Sequence, residues 1–238
     1  MKRYFLEHTC NTRDLGGYPV DFHTHTREGR FIRSDVPVKL SKEELSMFRG
    51  LGVTTVVDLR SLGELEKTPS AFAEADGFDY HHIHLNGGSS VIRSEADIPG
   101  NYLAILENRE AVRQIFTVFA AAPGGVFYHC TAGKDRTGMV SALLLLLAGV
   151  ADCDMIADYQ VTHTYIEKLL TGLIEKRESE DDMPEIPLYL GQSKPEYLSR
   201  FLALFREKYG TGEAYLRGVG LSQSALDRIR EKLLAESL

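Results

Sequence analysis

Two residues carry the chemistry this chain offers most plainly. Cys130 and Arg136 lie in the run HCTAGKDRTG (129–138), with five residues between them. A cysteine is a nucleophile as its thiolate, and a guanidinium is a planar fork of donors that matches two oxygens of a phosphate. Between them, Thr131, Ala132, Gly133, Lys134 and Asp135 supply successive backbone N–H groups, and Gly133 lets the chain curl without a Cβ clash. The spacing therefore predicts a cradle that grips a phosphoryl group and holds a nucleophile beneath it. The plain alternative is an inert core thiol, since cysteine is among the most buried residue types. That alternative leaves three consecutive charges, Lys134, Asp135 and Arg136, without a purpose.

Such a cradle needs a strand before it and a helix after it. The stretch 126–147, VFYHCTAGKDRTGMVSALLLLL, reads as a buried strand over Val126–His129, a tight loop over Cys130–Arg136 and an apolar helix from near Thr137. The orphan N–H groups of a helix N-terminus and the positive end of its dipole form an anion site. The same field depresses a cysteine pKa from about 8.5 to as low as ~3.5. Val53–Leu59 (VTTVVDL) is apolar nearly throughout, as a strand buried on both faces is, with Asp58, Arg60, Ser61 and Glu64 at and after its end. If the two strands are parallel neighbours, their polar ends face one another across the ligand crevice.

HCTAGKDRTG resembles the signature loop of the cysteine-dependent protein tyrosine phosphatase superfamily. Its Lys-Asp-Arg ending is similar to a bacterial branch of tyrosine-phosphatase-like proteins that also act on phosphoinositides. Asn-x-Arg-Asp-Leu-Gly-Gly (11–17), Gly-Arg-x-x-Arg-Ser (29–34) and Asp-Leu-Arg-Ser-x-x-Glu (58–64) resemble further patterns of that branch. The resemblance implies phosphomonoester hydrolysis through a cysteinyl-phosphate, with Cys130 as nucleophile and no cofactor or metal. Thr131, Ala132, Gly133, Lys134, Asp135 and Arg136 would hold the phosphate, and Thr137 would hydrogen-bond the sulfur. Phosphotyrosine protein is the first expected substrate and a phosphoinositide the second, with Lys134 as an extra cation at the mouth of the loop. Asp58 and Asp135 compete for general acid. Asp135 lies between two cations that favour its ionised form, so the sequence leans to Asp58, although Arg60 would hold that carboxylate ionised if the two paired. Arg13, Asp14 and Arg33 are expected as ion pairs bracing the loop.

The 238 residues suit one α/β domain with a mostly parallel central sheet flanked by helices and a helical C-terminal portion. A net charge of −7 argues against nucleic acid as a partner, and no dense basic run points to an anionic membrane. Three scattered cysteines do not make a disulfide framework, the N-terminus lacks a signal-peptide core, and no apolar stretch spans a bilayer, so a cytoplasmic protein is expected. Oligomeric state is not legible.

Along the chain, Ser41–Glu44 is a capping box, Phe78–Leu85 a strand with three histidines, and 101–122 one or two amphipathic helices. The histidines lack a carboxylate or cysteine at ligand spacing and read as structural. Asp152 caps a helix running to about Leu173, residues 174–194 read as an exposed loop and possible lid, and helices follow over Pro195–Tyr209 and Ser222–Leu234. A sulfurtransferase and a non-catalytic phospho-ligand module are the rival classes. Gly-Lys-Asp-Arg-Thr-Gly favours phosphate against the first, and retention of both thiol and arginine stands against the second.

Overall fold

The computed structural model describes residues 2–88, 92–178 and 187–236. Its elements are β1 (Arg13–Asp14), β2 (Thr24–Thr26), β3 (Phe31–Ser34), α1 (Lys42–Gly50), β4 (Val53–Asp58), α2 (Leu62–Lys67), β5 (Asp79–His82), α3 (Ile98–Leu106) and α4 (Arg109–Ala121). They continue with β6 (Gly125–His129), α5 (Asp135–Ala148), α6 (Asp152–Glu178), α7 (Pro195–Tyr209), α8 (Gly212–Gly218), α9 (Gln223–Leu233) and β7 (Leu234–Glu236).

The main sheet has the order β1-β3-β6-β4-β5. β3, β6, β4 and β5 run parallel, and β1 closes one edge antiparallel to β3. The sheet is thus mixed, with a parallel centre flanked by helices. Successive side chains of a strand point to opposite faces, and the core divides accordingly. Phe31, Val57, Val126 and Tyr128 join the larger core beneath α3, α4, α5, α7 and α9. Ile32, Val56 and Phe127 face Phe48 of α1, Phe72 and the N-terminal Tyr4. Residues apolar on both faces are what a helix-covered parallel strand requires.

α5 is buried nearly all round, which its run of leucines anticipates. It begins at Asp135, two residues before the expected start, because Asp135 and Arg136 already belong to its first turn. The Ser41 capping box is formed, and Ser61 with Glu64 makes a second one that opens the short α2. Asn108 separates α3 from α4 by accepting from the Ala111 N–H. α6 extends to Glu178 and absorbs the first part of the segment read as a loop. Residues 179–186 of that possible lid lie outside the described residues, and the chain returns as a 3-10 turn at Leu188–Leu190. α8, capped by Thr211, occupies a stretch that the sequence presents as a glycine spacer. β7 pairs with β2 in a small second sheet. No described helix is long and apolar enough to cross a membrane.

Candidate active site

The parallel centre brings the carboxyl ends of β3, β4 and β6 side by side, with Ser34 and Asp58 both in register with His129. Cys130 follows His129 directly and is buried. From there the chain turns through Thr131–Lys134 into α5.

What shapes the loop is the fate of its carbonyls. Thr131 C=O accepts from Val36 N–H at 3.1 Å, Ala132 C=O from Asn11 Nδ2 at 2.9 Å, and Gly133 C=O from Arg33 Nη2 at 2.7 Å and Asn11 Nδ2 at 3.2 Å. Lys134 C=O takes the Gly138 N–H of the helix. A trans peptide points its N–H opposite to its C=O. Four carbonyls pinned outward therefore turn the N–H groups of Ala132, Gly133, Lys134 and Asp135 toward the inside of the turn. Gly133 has φ +67°, and a Cβ there would lie 2.6 Å from the Ser34 carbonyl group, so no other residue fits without displacing the loop.

The groups that pin the carbonyls are pinned in turn. Asp158 of α6, wholly buried, binds Arg13 Nε at 2.8 Å and Arg33 Nη1 at 2.5 Å and also accepts from Tyr18 at 3.1 Å. Burial opposes its charge, but the two arginines outweigh that and hold its pKa at about 2. Arg13 also donates to the Asn11 side-chain oxygen and to Thr162 Oγ1 at 2.9 Å. Arg33 thus braces the loop directly, as expected, and Arg13 does so through Asp158 and Asn11. Asp14 braces something else: it accepts from Tyr4, Gly16 N–H and Gly29 N–H in the N-terminal segment.

Arg136 sits at the mouth of the loop with Glu64 of α2. The carboxylate accepts from Nη1 at 2.8 Å and Nη2 at 2.7 Å, and from the Thr131 hydroxyl. Arg136 holds the Glu64 pKa far below the usual carboxylate range. Burial works against the Arg136 charge, yet Glu64 raises its pKa overall. Glu64 takes the Nη1/Nη2 end of the fork and Nη2 also reaches Thr131 Oγ1 at 3.4 Å, while Nε has no hydrogen-bond partner among the described residues.

The two acid candidates fare differently. Asp58 is fully buried, with Arg60 at 2.6 Å and 2.9 Å, Tyr80 Oη at 2.8 Å and His129 Nε2 at 3.5 Å. Burial opposes its charge, but the hydrogen bonds and charge of Arg60, with the Tyr80 hydroxyl, outweigh it, and its pKa falls below the usual value. The expectation that Asp58 approaches from the leaving-group side meets a fully buried carboxylate with both oxygens engaged by Arg60 and Tyr80. His129 beside it is pushed down to about 4 by burial, so it is neutral near pH 7. Its Nδ1 donates to the Cys130 carbonyl at 3.2 Å, which fixes the tautomer and leaves Nε2 to accept from Ser70 at 3.2 Å. Asp135 is at the opening, its side chain 41% exposed. Its Oδ1 accepts from Tyr102 Oη at 2.9 Å, and Tyr159 contacts that hydroxyl at 2.6 Å.

Lys134 also departs from expectation. Its side chain is 4% exposed, and Nζ donates to Leu190 C=O at 2.5 Å and Gln192 C=O at 3.1 Å, with Asp135 Oδ1 at 3.2 Å. It fastens the 188–192 turn to the loop instead of standing free at the mouth. Thr137 Oγ1 is buried without a hydrogen-bond partner among the described residues. Cys10, the cysteine that touches the bracing network, donates to Asp35 at 3.3 Å, and burial with that carboxylate pushes its thiol up to about 12.

Over residues 4–235 the sequence matches the tyrosine phosphatase family. The chain belongs to that family. A tyrosine-protein phosphatase of Nostoc commune is 30% identical over 217 residues, covering 85% of this chain and 74% of the relative. The triple specificity protein phosphatase PtpB of Mycobacterium tuberculosis is 28% identical over 271 residues, covering 94% and 96%. A solved structure of P. aeruginosa TpbA in complex with pTyr aligns at 15% identity and a TM-score of 0.38 over 63% of this chain and 76% of that one, too slight a likeness to argue from. The protein is a phosphatase, and the sulfurtransferase and binding-module readings fall away.

Asp158 and Tyr102 are the site residues that sequence reasoning passed over, while Glu64 and Asn11 were seen as members of motifs without their partners. Two arginines, Arg13 and Arg33, beside a single aspartate, Asp14, were a signal that a second carboxylate, Asp158, had to be found elsewhere. Serine at 61 with glutamate three residues on marked a helix start, but not the partner of Arg136.

Proposed function

We propose that the protein hydrolyses phosphotyrosine in protein substrates through a cysteinyl-phosphate formed on Cys130. One observation supports the reading: the carbonyls of Thr131 to Lys134 are all held by partners away from the turn, which leaves the opposite N–H groups free for an anion, with Arg136 following in the same loop. Preorganised donors of this kind stabilise the charge of a loose phosphoryl transition state, which is the main lever in phosphoryl transfer. The thiolate attacks phosphorus, the phosphorus–oxygen bond to the leaving group breaks, and Asp135 gives that oxygen its proton. Water then attacks the thiophosphate, Asp135 takes the water's proton, and the sulfur–phosphorus bond breaks to regenerate the thiolate. Thr137, whose buried hydroxyl has no other partner among the described residues, hydrogen-bonds the sulfur as it leaves.

Asp135 is the acid because it is at the opening and only Oδ1 is engaged, whereas Asp58 has both oxygens bound below the site. The exposed Leu62 and Leu188 belong to the two segments that Arg136 and Lys134 hold against the loop, and an apolar rim suits an aromatic leaving group. Phosphoinositide hydrolysis by the same steps is the alternative substrate class, but the buried Lys134 removes its particular support. Phosphotyrosine peptides assayed beside a phosphoinositide panel test the preference, with faster turnover of peptide expected. Cys130→Ser should abolish turnover; activity well above a mock preparation in that variant would sink the nucleophile assignment.

A further inference from the structure

At the amino-terminal edge of the sheet, opposite the active loop, four cations gather around a cleft of about 310 Å³. Arg27 and Arg30 flank Gly29 just before β3, and Arg228 and Lys232 come from α9. The floor is the Ala122–Gly124 turn that leads into β6. One carboxylate, the exposed Glu231, lines the same cleft without an ion pair among the described residues. The rest of α9 is not arranged this way, since Arg230 is matched by Glu213 at 2.5 Å.

Two of the four have structural work. Lys232 Nζ donates to Phe119 C=O at 2.8 Å and Ala122 C=O at 2.6 Å, and Arg228 Nε to Ala120 C=O at 3.3 Å, which caps the C-terminus of α4. The side chains of Arg27 and Arg30 have no hydrogen bond or ion pair with any described residue. Burial and the neighbouring Arg30 push Lys232 down to about 8, the mark of a half-buried cation facing like charge without a counter-ion. On a chain of net charge −7, four cations beside a single carboxylate make a local positive spot on an acidic body.

We propose that this cleft binds a small phosphoryl anion, held by Arg27 and Arg30 with Lys232 behind them. Arginine forks match phosphate oxygens two at a time, and the volume is at the lower end of small-molecule sites, too small for a folded partner's surface. The site is separate from the active loop by the full length of β6, roughly 16 Å at about 3.3 Å per residue, so one small ligand cannot reach both. A membrane is a poorer occupant, because docking this edge would turn the active loop away from the lipid.

Calorimetric titration of the full chain tests it, with inorganic phosphate as the probe. The wild-type chain should show two binding events, and Arg27→Ala with Arg30→Ala should leave one, with kcat within about twofold of wild type. In the Arg136→Ala chain, where the active loop has lost its grip, phosphate should still bind, and adding the two cleft substitutions should weaken it at least tenfold. A single event in the wild-type chain, or binding that the cleft substitutions leave unchanged, would overturn the proposal even if Arg136→Ala does not fold. Binding of anionic vesicles through Arg27 and Arg30 without any phosphate binding would also overturn it. Repeating the titration of the inactive Arg136→Ala chain with glycerol phosphate distinguishes an ester from the free ion, and tighter binding of either one supports a phosphoryl site.

Discussion

Asparagine at position 135 or at position 58 separates a catalytic carboxylate from a structural one, and the structure assigns different consequences to each. Asp135→Asn keeps an oxygen that can accept from Tyr102, and removes the transferable proton together with the negative charge beside Lys134. At a half-exposed position this costs less stability than the loss of a fully buried ion pair. A general acid contributes about 10²–10⁴-fold, and that loss should appear with phenyl or alkyl phosphates, whose leaving oxygens need the proton. Nitrophenyl phosphate, which leaves as a stable anion, should lose only a few-fold. Asp58→Asn instead strands Arg60 in the interior. Removing one partner of a buried ion pair costs about 3–5 kcal/mol. For a chain of this size each kcal/mol lowers Tm by about 2–4 °C, which gives a fall of roughly 6–20 °C. Whatever activity survives in folded Asp58→Asn should be reduced equally for both leaving groups. The assay is kcat for the two esters with each variant, beside thermal unfolding. A leaving-group-dependent loss in Asp58→Asn, with none in Asp135→Asn, would refute the reasoning.

Glu64→Gln should lower kcat/KM by about 10–100-fold through misplacement of the Arg136 fork, with the folded state retained; unchanged kinetics would show that Arg136 holds its place alone. Because the folded-state pKa of Glu64 is depressed, its contribution to stability is present above its ordinary pKa of 4.5 and fades as pH falls below that value. Asp158, also depressed, contributes about 2 kcal/mol that should be lost between pH 3.8 and about 2. Denaturant unfolding over that range should show the loss in the wild-type chain and its absence in Asp158→Asn. Lys134→Ala should reduce activity equally on phosphotyrosine peptide and phosphoinositide and lower Tm, since Nζ ties down the 188–192 turn; a loss confined to phosphoinositides would restore Lys134 to the mouth of the site.

The strands and long helices are legible in this sequence because each is specified locally. VTTVVD and GVFYH are apolar on both faces, the leucines of α5 leave it no exposed face, and Ser41 and Ser222 announce their helices through caps that act within one turn. The loop is legible for the same reason: the nucleophile, the φ-positive glycine and the arginine lie within seven consecutive residues, 130–136. Partners distant in sequence are not. Whether Asp58 is an acid or a counter-ion depends on Arg60, Tyr80 and His129 closing around it once β4, β5 and β6 are adjacent. Asp158 and Arg33 are 125 residues apart, and Lys134 meets a carbonyl 56 residues away. Backbone carbonyls are identical at every position, so no residue type marks the ones that capture Lys134. The sequence by itself determines which groups can do chemistry and where the chain turns to present them. The tertiary structure decides which charges neutralise one another, because desolvation and Coulomb energy depend on distances that exist only after the chain has folded.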